Sequence, residues 1–278
     1  MSSPIESWLE NVLRAVTPIM EKAGVVFFIV GAGARDVWLA EHGQVSGRST
    51  RDVDLAVYVS SVEEFSRLKN AITAHPNFHI IQDNPLRIAA DNRYAIDLLP
   101  FGARDLLDDI ESIAARVGVD VDLTAFAASH KLATKSYTTN GITYQSLTMP
   151  GFVLSKLCAL ESKPEERLTK DLGDILLVAH LYADLELHLV LDTSDDLWDN
   201  DRDLQDVAVL NLGRQVGNLV AQAGNAGLLE TVTNAFARIE QTPANSLSGA
   251  LPSEQTLLWA RKAVGSLKDG IRLVLTER

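Results

Sequence analysis

Residues 25–59, VVFFIVGAGARDVWLAEHGQVSGRSTRDVDLAVYV, decide how the chain begins to fold. An apolar run, Val25 to Val30, stops at Gly31-Ala32-Gly33, and a helix-like stretch follows from Ala34 to Glu41. A polar loop over 43–50 then leads into a second apolar run that opens with Asp52 and Asp54. Side chains two apart on a strand leave by the same face. The spacing therefore predicts two carboxylates side by side at a strand's start, next to the glycine turn.

Two like charges held that close repel each other unless a cation lies between them. Oxygen-only ligands with room for water suit Mg²⁺, whose own partners are usually phosphates. Read alone, Asp-x-Asp is an ordinary strand entered through a polar turn, with Asp52 as a cap and Asp54 solvated. A third run, Arg93-Tyr-Ala-Ile-Asp-Leu-Leu-Pro-Phe101, weighs against that reading because it carries one carboxylate, Asp97, inside it. An acid in such a strand is rarely buried without a partner. On a neighbouring strand, Asp97 completes a three-carboxylate metal cluster.

A glycine turn, then Asp-x-Asp, then a single later Asp resembles the pattern of the DNA polymerase beta superfamily of nucleotidyltransferases. Gly31-Ala-Gly-Ala-Arg35-Asp36 is also similar to the Gly-Gly-x-x-Arg-Asp stretch of the tRNA CCA-adding enzymes. One departure is plain: Ala32 stands where the family has Gly or Ser, so no hydroxyl is offered to phosphate there. The same glycines fit a dinucleotide fingerprint less well. Its third glycine position holds Asp36, and its acidic residue should end a strand, whereas Asp52 and Asp54 begin theirs.

The chain has 278 residues, is 46% hydrophobic and carries a formal net charge of −12. That length holds one large domain or two modest ones. No apolar run approaches a membrane span, and MSSPIESWLE has no basic region followed by an apolar one, so no signal peptide is expected. The single cysteine, Cys158, excludes an internal disulfide and fits a reducing cytoplasm, with core packing as its role. The acidity argues against non-specific gripping of long nucleic acid. It suits cationic small molecules, and it is equally at home in a plain soluble protein.

Ile5, Trp8, Val12, Val16 and Ile19 predict an amphipathic helix over 4–23, closed by Gly24. A helix is expected over 62–74, strands at 78–82 and 86–90, and a further helix from Asp105 to Arg116. Between 130 and 148 the Asn140-Gly141 step marks a hairpin. The basic His130, Lys131 and Lys135 read there as a solvated edge or as contacts to acceptor or triphosphate. After Met149-Pro150-Gly151 the chain turns helical, over 151–161, 165–183, 204–222, 226–240 and 254–275. A linker is expected over 241–253. The acidic stretch Asp192 to Asp206 reads as a solvated loop and helix start. It lacks the order of an EF-hand.

Lys156 sits in an otherwise mostly apolar helix, and Asp171 and Asp174 share a face of the next. Charges facing a core must meet one another or a ligand. Lys156, Arg167, Lys170, Asp171 and Asp174 resemble the abortive-infection (AbiEii/AbiGii-type) nucleotidyltransferase toxins. These have a lysine on one helix and Lys/Arg-Asp-x-x-Asp on the next. The resemblance covers about residues 25–183.

The expected fold is α/β (α+β): a small mixed sheet flanked by helices over 1–149, then a helical region over 150–278. What the resemblance implies is cytoplasmic nucleotidyl transfer from a nucleoside triphosphate to an acceptor hydroxyl. Asp52, Asp54 and Asp97 would hold two Mg²⁺ ions (or Mn²⁺), and backbone N–H groups around Gly31, Ala32 and Gly33 would bind phosphates. Lys156 would neutralise the triphosphate, and Lys170, Asp171 and Asp174 would lie at the site. Arg35 would assist on the phosphates or pair with Asp36 or Asp52. Three activities remain open: a toxin-like enzyme modifying tRNA or protein and countered by an antitoxin; an antibiotic nucleotidyltransferase; and a non-catalytic nucleotide-binding relative.

Overall fold

The apolar run after Gly24 forms β1 (Phe27–Val30), and the run that opens on Asp52 forms β2 (Asp52–Tyr58). The Asp97 run forms β5 (Tyr94–Phe101), and the two short runs before it form β3 (Phe78–Ile80) and β4 (Arg87–Ala90). The computed structural model describes residues 7–45, 52–90, 94–102, 123–162, 165–252 and 255–276. The helix expected from Asp105 to Arg116, and part of the loop before Asp52, lie outside the described residues.

The chain divides into two compact units, Met1–Thr148 and Met149–Arg278. The first is built on a seven-stranded sheet in the order β3-β4-β5-β2-β1-β7-β6, where β6 is Thr134–Thr139 and β7 is Ile142–Leu147. β2 runs parallel to β5, and β1 parallel to β7; the other neighbours are antiparallel. The sheet is therefore mixed, as expected. Asn140 and Gly141 both take positive φ, 49° and 79°. Those are the conformations a tight two-residue hairpin turn demands.

Alternation sorts the central strands into two faces. Val53, Leu55, Ile88, Ile96 and Leu98 are fully buried, each contributing roughly 1.5–3 kcal/mol by leaving water. The alternating partners Arg87, Asp52, Asp54 and Asp97 are only partly covered. One face is thus core and the other carries the charges.

Helix α1 (Ser7–Ala23) buries Leu9, Val12, Leu13, Val16 and Met20. Its core stripe is rotated from the expected one: Val12 and Val16 are in it, but Trp8 instead stacks on Tyr94, centroids 4.7 Å apart. Helix α2 (Gly31–Glu41) starts three residues earlier than its sequence suggests, directly off β1. Helix α3 (Val62–Thr73) is capped by Ser61, whose side chain accepts from the Glu64 N–H. Helix α4 (Thr124–Leu132) takes in His130 and Lys131, so the hairpin begins only at Thr134.

The second unit is helical: α5 (Met149–Ser162), α6 (Glu165–Leu185), α7 (Leu187–Thr193), α8 (Leu204–Ala223), α9 (Ala226–Gln241), α10 (Ala244–Gly249) and α11 (Leu257–Thr276). The short α10 lies inside the stretch expected to be a linker. α8 and α11 approach backbone to backbone. A Cβ on Gly213 would stand 2.2 Å from the Leu267 carbonyl oxygen, and one on Gly270 would stand 2.0 Å from that of Leu210. Any larger residue at either position would push the helices apart. Among the described residues, no helix is long and apolar enough to cross a membrane.

Candidate active site

The register of three strands sets the site. Asp54 of β2 stands opposite Asp97 of β5, and Asp97 stands opposite Arg87 of β4. Residues directly opposite on paired strands project to the same side, and Asp52 shares that side with Asp54. The three carboxylates expected together are therefore on one sheet face, in one row with an arginine.

Arg87 is the residue the sequence reading missed. Its Nε donates to Asp97 Oδ1 at 2.6 Å and its Nη2 to Asp97 Oδ2 at 2.6 Å, a two-pronged grip on one carboxylate. Nη2 also donates to Asp52 Oδ2 at 3.1 Å. These hydrogen bonds to Asp97, and then the charges of Asp97, Asp52 and Asp54, raise Arg87 above the usual arginine range despite its partial burial. A signal was available in Leu86-Arg-Ile-Ala-Ala90, which alternates buried and half-covered residues. That alternation puts Arg87 on the polar face.

Arg87 stands inside the expected metal cluster. The donor set, three hard carboxylates on one face, is of the kind that suits a hard divalent cation. Yet among the described residues no three His, Cys, Asp or Glu side chains close on one point for a metal ion. A guanidinium bridges Asp97 and Asp52 instead. The carboxylates fit a divalent cation in kind and in the face they share.

The glycine turn meets this row at Asp54. Gly31 has φ +58°, and a Cβ there would lie 2.0 Å from Asp54 Oδ2. Glycine is required twice over, for the backbone and for the close approach of the carboxylate. The Asp54 oxygen sits against the first residue of α2, where the first-turn N–H groups and the positive end of the helix dipole favour an anion. Gly33 is required for close packing. A Cβ on it would stand 2.9 Å from Ile29 Cγ2, so it seats α2 on the buried face of the sheet. Ala32 is half-covered beside it. Of the three turn positions, Gly31 is the one in contact with the carboxylate row.

Arg35 is 2% exposed, with Nε and Nη2 both on Asp36 Oδ1 at 3.0 and 2.8 Å. It takes the ion-pair alternative, and its guanidinium is not presented for phosphate. The three basic residues near the hairpin are likewise engaged or solvated. The His130 ring stacks on Phe28 and Tyr58 at 6.0 and 6.2 Å. Lys135 pairs with Glu41, and Lys131 is exposed.

Lys156, Asp171 and Asp174 belong to the second unit and form their own cluster. The Lys156 ammonium lies 2.7 Å from Asp171 Oδ1 and 2.8 Å from Asp174 Oδ2, with side-chain exposures of 12%, 3% and 1%. Burial pulls the lysine's pKa down, but the two carboxylates outweigh it and hold it above the usual range. The lysine ammonium is thus met here by a carboxylate pair. Lys170 is exposed; the Arg167 side chain lies outside what is described. Cys158 is buried.

The acidic stretch caps and pairs. Asp203 and Asp206 form the N-terminal box of α8, Asp196 binds Arg214, and Lys262 binds Asp206. The basic residues of α11 are similarly used: Lys268 pairs with Glu240, and Arg272 lies 4.0 Å from Asp269.

No protein-family model matches the chain, and no curated protein matches it. Among solved structures it is similar to an antigenic nucleotidyltransferase-like protein from Paracoccidioides brasiliensis. Identity there is 15%, over 79% of this chain and 94% of that one, with a TM-score of 0.41. It is similar to the antibiotic-resistance factor ANT(2'')-Ia at 10% identity, over 85% of this chain and 95% of that one, TM-score 0.37. A CCA-adding enzyme solved with ATP matches at 10% identity, over 99% of this chain and 83% of that one, TM-score 0.33.

Proposed function

We propose that the chain is a divalent-metal-dependent nucleotidyltransferase that moves a nucleoside monophosphate from a triphosphate to an acceptor hydroxyl. The observation that carries this reading is the row Asp54–Asp97 with Asp52 on the same face, closed at one end by Gly31. A structural sheet has no need for three carboxylates on one face, because their mutual repulsion is a standing cost.

Asp52, Asp54 and Asp97 would hold Mg²⁺ (or Mn²⁺), which when bound supplies charge to the triphosphate oxygens and polarises the α-phosphate. The acceptor oxygen attacks the α-phosphorus, its bond to the bridging oxygen of the β-phosphate breaks, and pyrophosphate leaves. The hydroxyl proton passes to Asp97 once Arg87 has released that carboxylate. Asp54 is fixed by its seat against Gly31, so its orientation is set before substrate arrives. The N–H groups at the start of α2 face the same place and suit phosphate oxygens.

Lys156, Asp171 and Asp174 serve in this account as a buried support of the second unit. Their likeness to the abortive-infection toxins points to tRNA or protein as acceptor, and to an antitoxin as partner. The net charge of −12 supports the aminoglycoside-type alternative, in which a cationic small molecule is the acceptor. Incubation of the full chain with each α-labelled triphosphate, Mg²⁺, and total tRNA, cell protein or aminoglycosides in turn tests the reading. Label should enter one acceptor fraction. Failure to label any fraction with any of the four nucleotides contradicts it.

A further inference from the structure

We propose that Arg87 is a positioning residue that couples metal binding to triphosphate binding, by holding Asp97 and Asp52 until a metal–triphosphate displaces it. The inference rests on the nucleotidyl-transfer reading and adds an order to its site. Arg87 occupies both oxygens of Asp97 and one of Asp52. A divalent ion needs the same oxygens. The two cations also repel each other at that range, so they compete rather than share. A bare metal must displace a two-pronged guanidinium grip without offering it a new partner.

A metal that arrives with a triphosphate offers one. Polyphosphate oxygens match the planar fork of arginine as well as a carboxylate does. The Arg87 side chain is 34% exposed, so its guanidinium has a solvent side to swing toward while its strand stays paired with β5. Arg87 then moves from carboxylate to phosphate as the metal enters. In the resting site it offsets part of the trio's charge, and in the loaded site it holds the triphosphate. Coupling of this kind is reciprocal: the nucleotide tightens the metal by the factor by which the metal tightens the nucleotide.

Mn²⁺ affinity, read by paramagnetic resonance of the free ion, tests this on the full chain with and without α,β-methylene-ATP. Arg87→Gln should bind Mn²⁺ alone about tenfold more tightly than the parent, ~1.4 kcal/mol. It should also lose most of the tightening that the nucleotide gives the parent. A purely structural Arg87 could tighten Mn²⁺ through its lost charge, but it predicts no loss of the nucleotide's tightening. Arg87→Lys keeps the charge and loses the fork; it should shift both quantities in the same direction by less, and it carries the test if Arg87→Gln does not fold. Equal Mn²⁺ affinity in parent and variant, with the nucleotide effect intact, overturns the role of Arg87 alone. No Mn²⁺ binding by any of the proteins, with or without nucleotide, overturns the nucleotidyl-transfer reading as well.

Discussion

Asp54 stands directly opposite Asp97 on the adjacent parallel strand, while Arg87 grips Asp97 from the other side. The two acids are therefore not equivalent. Asp97→Asn removes the partner of a two-pronged ion pair and should lower the melting temperature more than Asp54→Asn does. Both should abolish transfer. Thermal unfolding of the two variants side by side checks this, and equal destabilisation would show that Arg87 does not discriminate between them.

Gly31→Ala puts a Cβ into Asp54 at a backbone φ of +58°. The left-handed conformation alone costs an alanine about 1–2 kcal/mol, and the carboxylate must also move. Gly24, with φ +68° and nothing within 4 Å of a would-be Cβ, is the control. Gly24→Ala should lose only the backbone term and keep its activity; Gly31→Ala should lose more stability and nearly all transfer. Denaturant midpoints and transfer rates of the pair decide it, and a fully active Gly31→Ala would remove Gly31 from the site.

The Gly31 and Asp54 relationship was legible from spacing, because a period of two fixes which strand residues share a face. So was the sheet's mixed character, since Asp83-Asn84-Pro85 between two short apolar runs forces an antiparallel hairpin. Arg87 was not legible, because its meaning depends on register: only the pairing of β4 with β5 sets it opposite Asp97. The packing role of Gly33 was not legible for a related reason. Its neighbour Ile29 is four residues back along the chain, and only the packing of α2 on β1 shows that the glycine is there for closeness. For Lys156 an apolar helix says only that the charge must meet a ligand or a carboxylate, and the triphosphate contact comes from the resemblance. The same apolarity equally buries it against Asp171 and Asp174 on the next helix.

Lys156→Met should cost roughly 3–5 kcal/mol, because it strands two buried carboxylates. Replacing all three charges together, Lys156→Met with Asp171→Leu and Asp174→Leu, should recover much of that loss. Since its pKa is raised in the folded state, the lysine's contribution is full below about 10.5 and fades only as pH rises through the raised value. Urea unfolding of the single and triple variants measures the effect. A stable Lys156→Met that turns over slowly would return the lysine to the triphosphate.

His130 gives the opposite pH sign. Burial, with help from the charge of Lys131, holds its pKa below the usual value of 6.5. The folded state therefore favours the neutral ring. Its stability contribution is full above about pH 6.5 and is lost as pH falls through the depressed value. His130→Phe keeps the stacking on Phe28 and Tyr58 and removes the titration. Its melting temperature should fall less than the parent's between pH 7 and 5; parallel curves would exclude the effect.

The position of the label in a transferred nucleotide tests the central claim most directly. With the acceptor fraction in hand, parallel reactions with α-labelled and γ-labelled triphosphate should put label on the acceptor only from the α position. The γ label should leave as pyrophosphate, and Asp54→Asn should do neither. Label reaching the acceptor from the γ position, or transfer undiminished in Asp54→Asn, would contradict the assignment of this carboxylate row to nucleotidyl transfer.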